Sequence, residues 1–133
     1  MKYILLGSVL VVGACSLTQM QMPTRSEGAR LFAENCAACH GADARGAGPE
    51  TLGIGKVPPD LTTIASRHGG TFPRAQVLSV IDGYRQGTHP DRVMPEFGEG
   101  LTDDLVPVDI DGVPTPTPRV LAALLTYLEG IQE

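Results

Sequence analysis

The feature that most constrains this 133-residue chain is the pentapeptide CAACH at residues 36–40. It contains two of the three cysteines and one of the three histidines. Three kinds of site use cysteines at this spacing: a redox-active thiol pair, half of a zinc site, and a point of covalent haem attachment. The rest of the chain discriminates among them.

The surroundings of the motif argue against the first two kinds of site. A redox-active pair opens a helix in a βαβ unit, whereas this pair closes a helical segment and no flanking strand is predicted. Zinc needs a second group of ligands, but no cysteine follows Cys39 and the remaining histidines are His68 and His89. The preferred interpretation is haem attachment, with thioether bonds to Cys36 and Cys39 and iron bound by His40.

An iron held by one histidine has a sixth position that is either open or filled by another side chain. Met94, in the segment VMPEFG, is the candidate, because the other methionines beyond the leader precede the folded part. A thioether ligand favours ferrous iron and so raises the reduction potential. A core-filling role is the alternative for Met94, and His68 and His89 are rival ligands or surface histidines.

The start of the chain predicts export. A basic residue precedes an apolar run over residues 3–14, which is too short to span a bilayer but suits a signal-peptide core. The run ends at VGAC, which resembles the lipobox of bacterial lipoproteins. The resemblance implies that residues 1–14 are removed, that Cys15 is lipidated and that residues 15–25 form a tether, with ordinary cleavage nearby as the alternative.

The distribution of charge restricts the partners. The net charge is −5 and the basic residues are scattered singly, which argues against nucleic acid as a partner. Residues 96–111, the acidic segment, contain no basic residue. The segment is interpreted as a solvated loop or a docking surface. Its acidic residues are Glu96, Glu99, Asp103, Asp104, Asp109 and Asp111.

The first predicted helix leads into the CAACH motif. Thr24 and Glu27 have the spacing of a capping box. Gly28, Phe32 and Cys36 recur every four residues and therefore share one face. Because glycine inside a helix costs about 0.5–1 kcal/mol relative to alanine, Gly28 suggests close approach of another backbone.

Two further helices are predicted, and no strand is. One begins at Pro73 and stops at Gly83, and the other begins after Thr117 and Pro118, which supply its cap and first turn. Val120, Leu121, Leu124, Leu125 and Leu128 supply the apolar face of the last helix. Loops rich in glycine and proline are predicted over residues 41–70 and 83–117.

These features together resemble the class I c-type cytochromes, in particular the small bacterial ones with a single haem. Besides CAACH and MPEF, the resemblance rests on HGADARGAGP, on PPDLT, and on Gly28 paired with Leu124 and Tyr127. It implies an all-α cytochrome c fold over residues 26–133, with three to four helices and long loops around one covalent haem c. It also implies that the first and last helices cross at Gly28 and Tyr127.

The same resemblance implies further contacts to the haem. The carbonyl of Pro49 is expected to accept a hydrogen bond from the second ring nitrogen of His40. The acidic segment departs from the family pattern, in which a short link leads to the last helix. Apart from the resemblance, four residues are considered for contact with the haem propionates, with a plain surface role as the alternative for each: Arg67, Tyr84, Arg85 and Arg92.

The expected function is electron transfer by a single-haem carrier that is not itself an enzyme. The expectation includes export to the periplasm, a lipid anchor on Cys15 in a bacterial membrane, and redox protein partners with a basic docking face. It includes neither nucleic acid nor a small-molecule substrate. The alternatives are a haem protein with an open sixth site, for gas sensing or peroxidase activity, a subunit of an oxidase or dehydrogenase complex, and a lipoprotein adaptor without haem.

Overall fold

The computed structural model describes residues 21–46, 53, 55–84 and 93–133. The predicted leader and Cys15 lie outside these residues. Within them the elements are α1 (Arg25–Asn35), α2 (Ala37–His40), α3 (Ile64–Arg67), α4 (Arg74–Asp82), β1 (Leu105–Ile110), β2 (Val113–Pro118) and α5 (Arg119–Gly130). The predicted helical character is confirmed, but a two-stranded sheet is added to it. In the described part of the chain, no helix has the length and apolar character needed to cross a membrane.

Helix α1 begins where the capping pattern predicts. The hydroxyl oxygen of Thr24 accepts a hydrogen bond from the backbone N–H of Glu27 at 3.2 Å. This bond satisfies one of the N–H groups that have no partner inside the first turn. At the other end, Asn35 Nδ2 donates to the Leu31 carbonyl at 2.9 Å, just before the CAACH motif.

Helices α1 and α5 cross at Gly28. A Cβ atom at this position would collide with the backbone carbonyl of Ala123 and lie only 2.7 Å from the Cβ of Tyr127. Next to the crossing, the rings of Phe32 and Tyr127 are 5.1 Å apart at a tilt of 43°. The predicted crossing is therefore confirmed, and Gly28 is required by the lack of space.

Helix α5 is the centre of the core. It packs against α1, α4 and the sheet, and six of its residues are buried: Leu121, Ala122, Ala123, Leu124, Leu125 and Leu128. Burial of each leucine contributes about 1.5–3 kcal/mol. The predicted cap is wrong, however, because Thr117 lies in β2 and its hydroxyl donates to the Thr115 carbonyl at 3.0 Å. The N-cap residue is Pro118, without a side-chain cap.

Strands β1 and β2 form a hairpin in the region predicted to be a loop. Its two-residue turn is Asp111 and Gly112, with φ of 53° and 84°, and two positive φ values in such a turn are the mark of type I′. Val106 and Val108 point into the core and are buried. The prediction of a loop over residues 83–117 is therefore wrong for this segment.

Prolines account for the missed strands. Pro107, Pro114, Pro116 and Pro118 occupy the face of the hairpin opposite Val106, and proline is depleted in strands. Because the turn makes Ile110 and Val113 a hydrogen-bonded pair, every second pair along the ladder has N–H groups that point outward. All four prolines lie at these outward positions, so the ladder loses no bond.

Two arginines connect the hairpin to the helices. Arg74 donates to the Asp109 carbonyl at 2.8 Å and to a carboxylate oxygen of Glu129 at 2.9 Å and 3.1 Å, so it joins α4, β1 and α5. Arg119 donates to the carboxylate of Asp104 at 3.1 Å. Two residues of the acidic segment are therefore held against the helices, Asp109 through its backbone carbonyl and Asp104 through its carboxylate.

Candidate haem site

One cavity of about 450 Å³ opens between all five helices and the adjoining loops. This volume lies within the range of about 300–1,000 Å³ that is usual for cofactor sites. Much of its wall is apolar, and the lining includes Phe32, Val77, Ile81, Phe97, Leu124 and Leu128. A large, flat and mostly apolar group would find complementary surroundings there.

The CAACH motif forms one side of this cavity. Helix α2 is a single turn, in which the N–H groups of Cys39 and His40 donate to the Cys36 carbonyl at 3.1 Å and 2.9 Å. Residues three and four apart on a helical turn share a face. Cys36, Cys39 and His40 therefore all line the cavity, with both cysteines present as free thiols.

The environment of Cys36 disfavours redox chemistry of the thiols. Burial, and secondarily the neighbouring Cys39, raises the pKa of Cys36 from 9.0 to about 11. A redox-active cysteine needs a lowered pKa, because the thiolate is the nucleophile. The raised pKa therefore argues against a thioredoxin-like pair, although Cys36 ends α1 and also caps the start of α2, so the pair does not simply close a helical segment as predicted.

His40 has the properties of a metal ligand. Its Nδ1 atom is buried and has no hydrogen-bond partner of good geometry among the described residues. Burial lowers the pKa of the imidazole, while the carbonyl of Pro59, which is close to the ring, partly opposes this. The ring is thus kept neutral, the form that binds metal ions. Pro49, the expected partner of His40, lies outside the described residues.

Met94 lines the same cavity as His40 and the two cysteines. Its side chain is half-buried and packs against the hydrophobic core. Pro95 and Phe97 from the same loop also line the cavity. The structure therefore brings together the two cysteines, the histidine and the methionine that the sequence predicts to bind the haem or its iron.

Of the remaining candidates for contact with the haem, some line the cavity and others do not. Arg67 lines the cavity and donates to the carbonyl of Asp60 at 2.9 Å. His68 also lines it, with Nδ1 2.8 Å from the carbonyl of Ile64. Tyr84 is 86% exposed and takes no part in the lining. His89, Arg85 and Arg92 lie outside the described residues.

Several lining residues were not anticipated from the sequence, among them Lys56 and Pro59. Lys56 and Pro59 belong to the segment between α2 and α3, whose glycines and prolines predict only a loop. Helix α3 itself was also missed, since four residues are too few to show a period. The proline-rich segment PPDLT marked this region only through the family resemblance, and no local pattern assigned its residues to a cavity.

The residues around the cavity fit a covalently attached haem. Two thiols and a histidine in the order C-x-x-C-H are the attachment signature, and a histidine with a methionine is an axial pair found in cytochromes c. The Nδ1 atom of His40 is buried and the carbonyl of Pro59 is close to the ring, and a backbone carbonyl is one of the acceptors to which metal-binding histidines donate their other ring N–H. Within the described residues no group of three or more acidic, cysteine or histidine side chains offers a separate metal site.

Comparison with known proteins decides the family. The family model for cytochrome c matches residues 26–107. The chain belongs to the cytochrome c family. Membership implies a covalently bound haem c and a role in haem electron transfer.

Two curated relatives are similar to this cytochrome. The Cbb3-type cytochrome c oxidase subunit CcoP of Rubrivivax gelatinosus is 46% identical over 63 residues, which are 47% of this chain and 17% of the relative. The subunit of the same name from Cereibacter sphaeroides is 40% identical over 78 residues, 59% of this chain and 22% of the relative. The matched part is thus about a fifth of each relative's length. No solved structure gives a significant match.

Proposed function

We propose that this cytochrome carries one haem c, with thioether bonds to Cys36 and Cys39 and axial ligation by His40 and Met94. The observation that carries the proposal is the common cavity, since four side chains from two distant parts of the sequence line it together. When bound, the haem supplies one-electron exchange between ferric and ferrous iron.

The residues of the chain supply the environment for this exchange. Phe32, Leu124 and Leu128 present apolar surface to the cavity, and an apolar surrounding lowers the local dielectric and strengthens electrostatic interactions inside it. Burial keeps the His40 ring neutral, and the Pro59 carbonyl close to it is suited to accept the proton on Nδ1. The thioether of Met94 favours the reduced state.

The function that follows is electron transfer between protein partners, without turnover of a small-molecule substrate. The relatives are oxidase subunits by name, which favours a second candidate: a subunit or close partner of a terminal oxidase complex. Both candidates use the same site. They differ in whether the chain is found free or bound to a larger assembly.

The proposed location is the periplasmic side of a bacterial membrane, with a lipid on Cys15. The support is the apolar run over residues 3–14 followed by VGAC. The intact mass of the mature protein tests this, since signal removal and acylation change it by defined amounts. A mature protein that begins elsewhere than Cys15 would contradict the anchor and leave the haem proposal unaffected.

A matched pair of methionine variants tests the ligand set. After expression with the haem-maturation machinery, Met94→Ala should lose the methionine-to-iron charge-transfer band and bind carbon monoxide readily in the reduced state. Met22→Ala is the control, because Met22 is 42% exposed and lies outside the cavity. A wild-type protein without this band contradicts Met94 ligation and favours an open sixth site. Loss of a low-spin spectrum in His68→Ala would instead assign the sixth position to His68.

The covalent attachment has its own test. Thioether-bound haem survives denaturation, so a haem-stained denaturing gel should show the wild-type chain and not the Cys36→Ala/Cys39→Ala variant. An unstained wild-type band, after verified maturation of a control cytochrome in the same cells, would support the adaptor alternative.

Charged small-molecule oxidants test the expectation of a basic partner. The reduced protein should react faster with a cationic cobalt complex as salt is lowered, because a lower ionic strength screens the negative charge of the acidic segment less. Asp109→Asn/Asp111→Asn should reduce this dependence. A rate that does not fall as salt rises would remove the docking role of the segment.

A further inference from the structure

The loop that carries Met94 is fastened to the end of helix α4. The backbone N–H of Phe97 donates to the carbonyl of Ile81 at 3.1 Å, and the N–H of Gly98 donates to the carbonyl of Asp82 at 3.2 Å. The last carbonyls of a helix have no partner inside it. Two neighbouring residues of the loop therefore supply hydrogen-bond partners for the last two carbonyls of α4.

Gly98 has no room for a side chain. A Cβ atom there would lie 2.6 Å from Cγ and 2.9 Å from the carbonyl oxygen of Asp82, and would collide with its carboxylate. The φ of Gly98 is not positive, so the backbone conformation alone does not demand glycine. The carboxylate of Asp82 ends a flexible side chain and can turn aside, so the contact that favours glycine is the one with the backbone carbonyl oxygen of Asp82 at the end of α4.

Helix α4 is also a wall of the cavity. The side chains of Val77 and Ile81 are buried and line it, and the carbonyl of the same Ile81 holds Phe97. The ring of Phe97 lines the cavity as well. The two hydrogen bonds made by residues 97 and 98 thus connect the loop that carries Met94 to the helix that forms a wall of the cavity.

We propose that Gly98 is a positioning residue for Met94 as iron ligand. Its contact with Asp82 holds the loop at the distance from α4 at which the thioether reaches the cavity. The proposal rests on the proposed function, because it assumes that Met94 is the sixth ligand. A larger residue at position 98 would move the loop away from α4 and leave the attachment at Cys36, Cys39 and His40 in place.

Gly98→Ala in the matured protein is the direct test. The expected result is a loss or strong weakening of the methionine-to-iron band, a lower reduction potential and faster carbon monoxide binding. The covalent haem seen on a denaturing gel should be unchanged. Adding Asp82→Ala removes the carboxylate against which the new Cβ would press, so the double variant should recover part of the band.

Gly100→Asn provides the matched control in the same loop. A Cβ at Gly100 would meet nothing within 4 Å, and its φ is +75°, which asparagine tolerates better than most residues. The control should retain the band and potential of the wild type. Equal loss in Gly98→Ala and Gly100→Asn, or a wild-type spectrum in Gly98→Ala, would overturn the proposal.

Two further outcomes are separable. A wild-type protein without the band contradicts the proposed function itself, before any variant is compared. If Gly98→Ala does not accumulate, Asp82→Ala and Asp82→Ala/Gly98→Ala carry the comparison. A weaker band in the double variant supports the role of Gly98, and equal bands overturn it.

Discussion

Helix α1 and the hairpin of β1 and β2 both pack on α5. The sequence features that indicate these two contacts are different. The crossing depends on one residue, Gly28, that no sequence rule would otherwise place in mid-helix. The hairpin depends on two buried valines, Val106 and Val108, between prolines that conceal its strand character. A glycine inside a helix therefore indicates a close helix–helix contact from the sequence alone. An alternating strand pattern that is interrupted by prolines does not indicate a strand in the same way.

The crossing should be the more sensitive of the two regions. Helix propensity alone predicts that Gly28→Ala stabilises the protein by about 1 kcal/mol. The collision with the Ala123 carbonyl and Tyr127 predicts the opposite sign, a loss of about 3 kcal/mol as overpacking forces the helices apart. Denaturant unfolding of the matured protein, followed by circular dichroism, measures the difference.

Ala33→Gly is the control for this variant. Ala33 is exposed on the same helix, so its replacement reports propensity without a packing change, at about 1 kcal/mol of destabilisation. If Gly28→Ala unfolds at a higher denaturant concentration than the wild type, the close crossing is wrong.

The hairpin should be anchored by its buried valines and not by the exposed residues near its turn. Val108→Ala removes two buried methyl groups and should cost about 2 kcal/mol in the free energy of unfolding. The same change at Val113, which is 63% exposed on the same hairpin, should cost no more than about 0.5 kcal/mol. The comparison of the two variants by denaturant unfolding decides this, and equal losses would show that strand propensity rather than burial holds the hairpin.

Most of the helical frame could be predicted because its signals are local. The cap at Thr24 and the left-handed stop at Gly83 are found where the sequence places them. The hairpin was missed because a proline is harmless only at an outward position of a ladder, and that position depends on the register with the partner strand. The cap of α5 was misassigned for the same reason, since Thr117 belongs to the strand.

The residues of the candidate site also differ in whether a local sequence pattern predicts their position. CAACH specifies three cavity residues within one helical turn, so their proximity follows from the sequence. The contribution of Pro59 depends on how a glycine-rich loop returns to the His40 ring, which no local pattern encodes. Met94 lies in a loop whose Phe97 and Gly98 donate hydrogen bonds to the end of α4, and no local pattern around Met94 predicts these long-range contacts. Its identity as a ligand stays a prediction until the methionine variants are measured.

The loop between the CAACH motif and α3 should contribute a small, pH-dependent part of the stability of the domain. The carboxylate of Asp60 accepts hydrogen bonds from the hydroxyl of Thr62 at 2.6 Å and from its backbone N–H at 2.8 Å. These bonds, with a smaller contribution from Arg45, lower the pKa of Asp60 from its ordinary value of 3.8.

Because the folded state favours the ionised form of Asp60, its contribution is present above pH 3.8 and is lost as the pH falls below that value through the lowered pKa. We expect the free energy of unfolding of the matured protein to decline in this acid range, and Asp60→Asn to decline less steeply. Thr62→Val, which removes the hydroxyl donor, should move the carboxyl pKa of Asp60 back toward 3.8 in an NMR titration. An unchanged titration in Thr62→Val would show that the backbone N–H and the arginine suffice. The polar loop would then depend on backbone geometry, as the crossing at Gly28 does, and not on a side-chain hydroxyl.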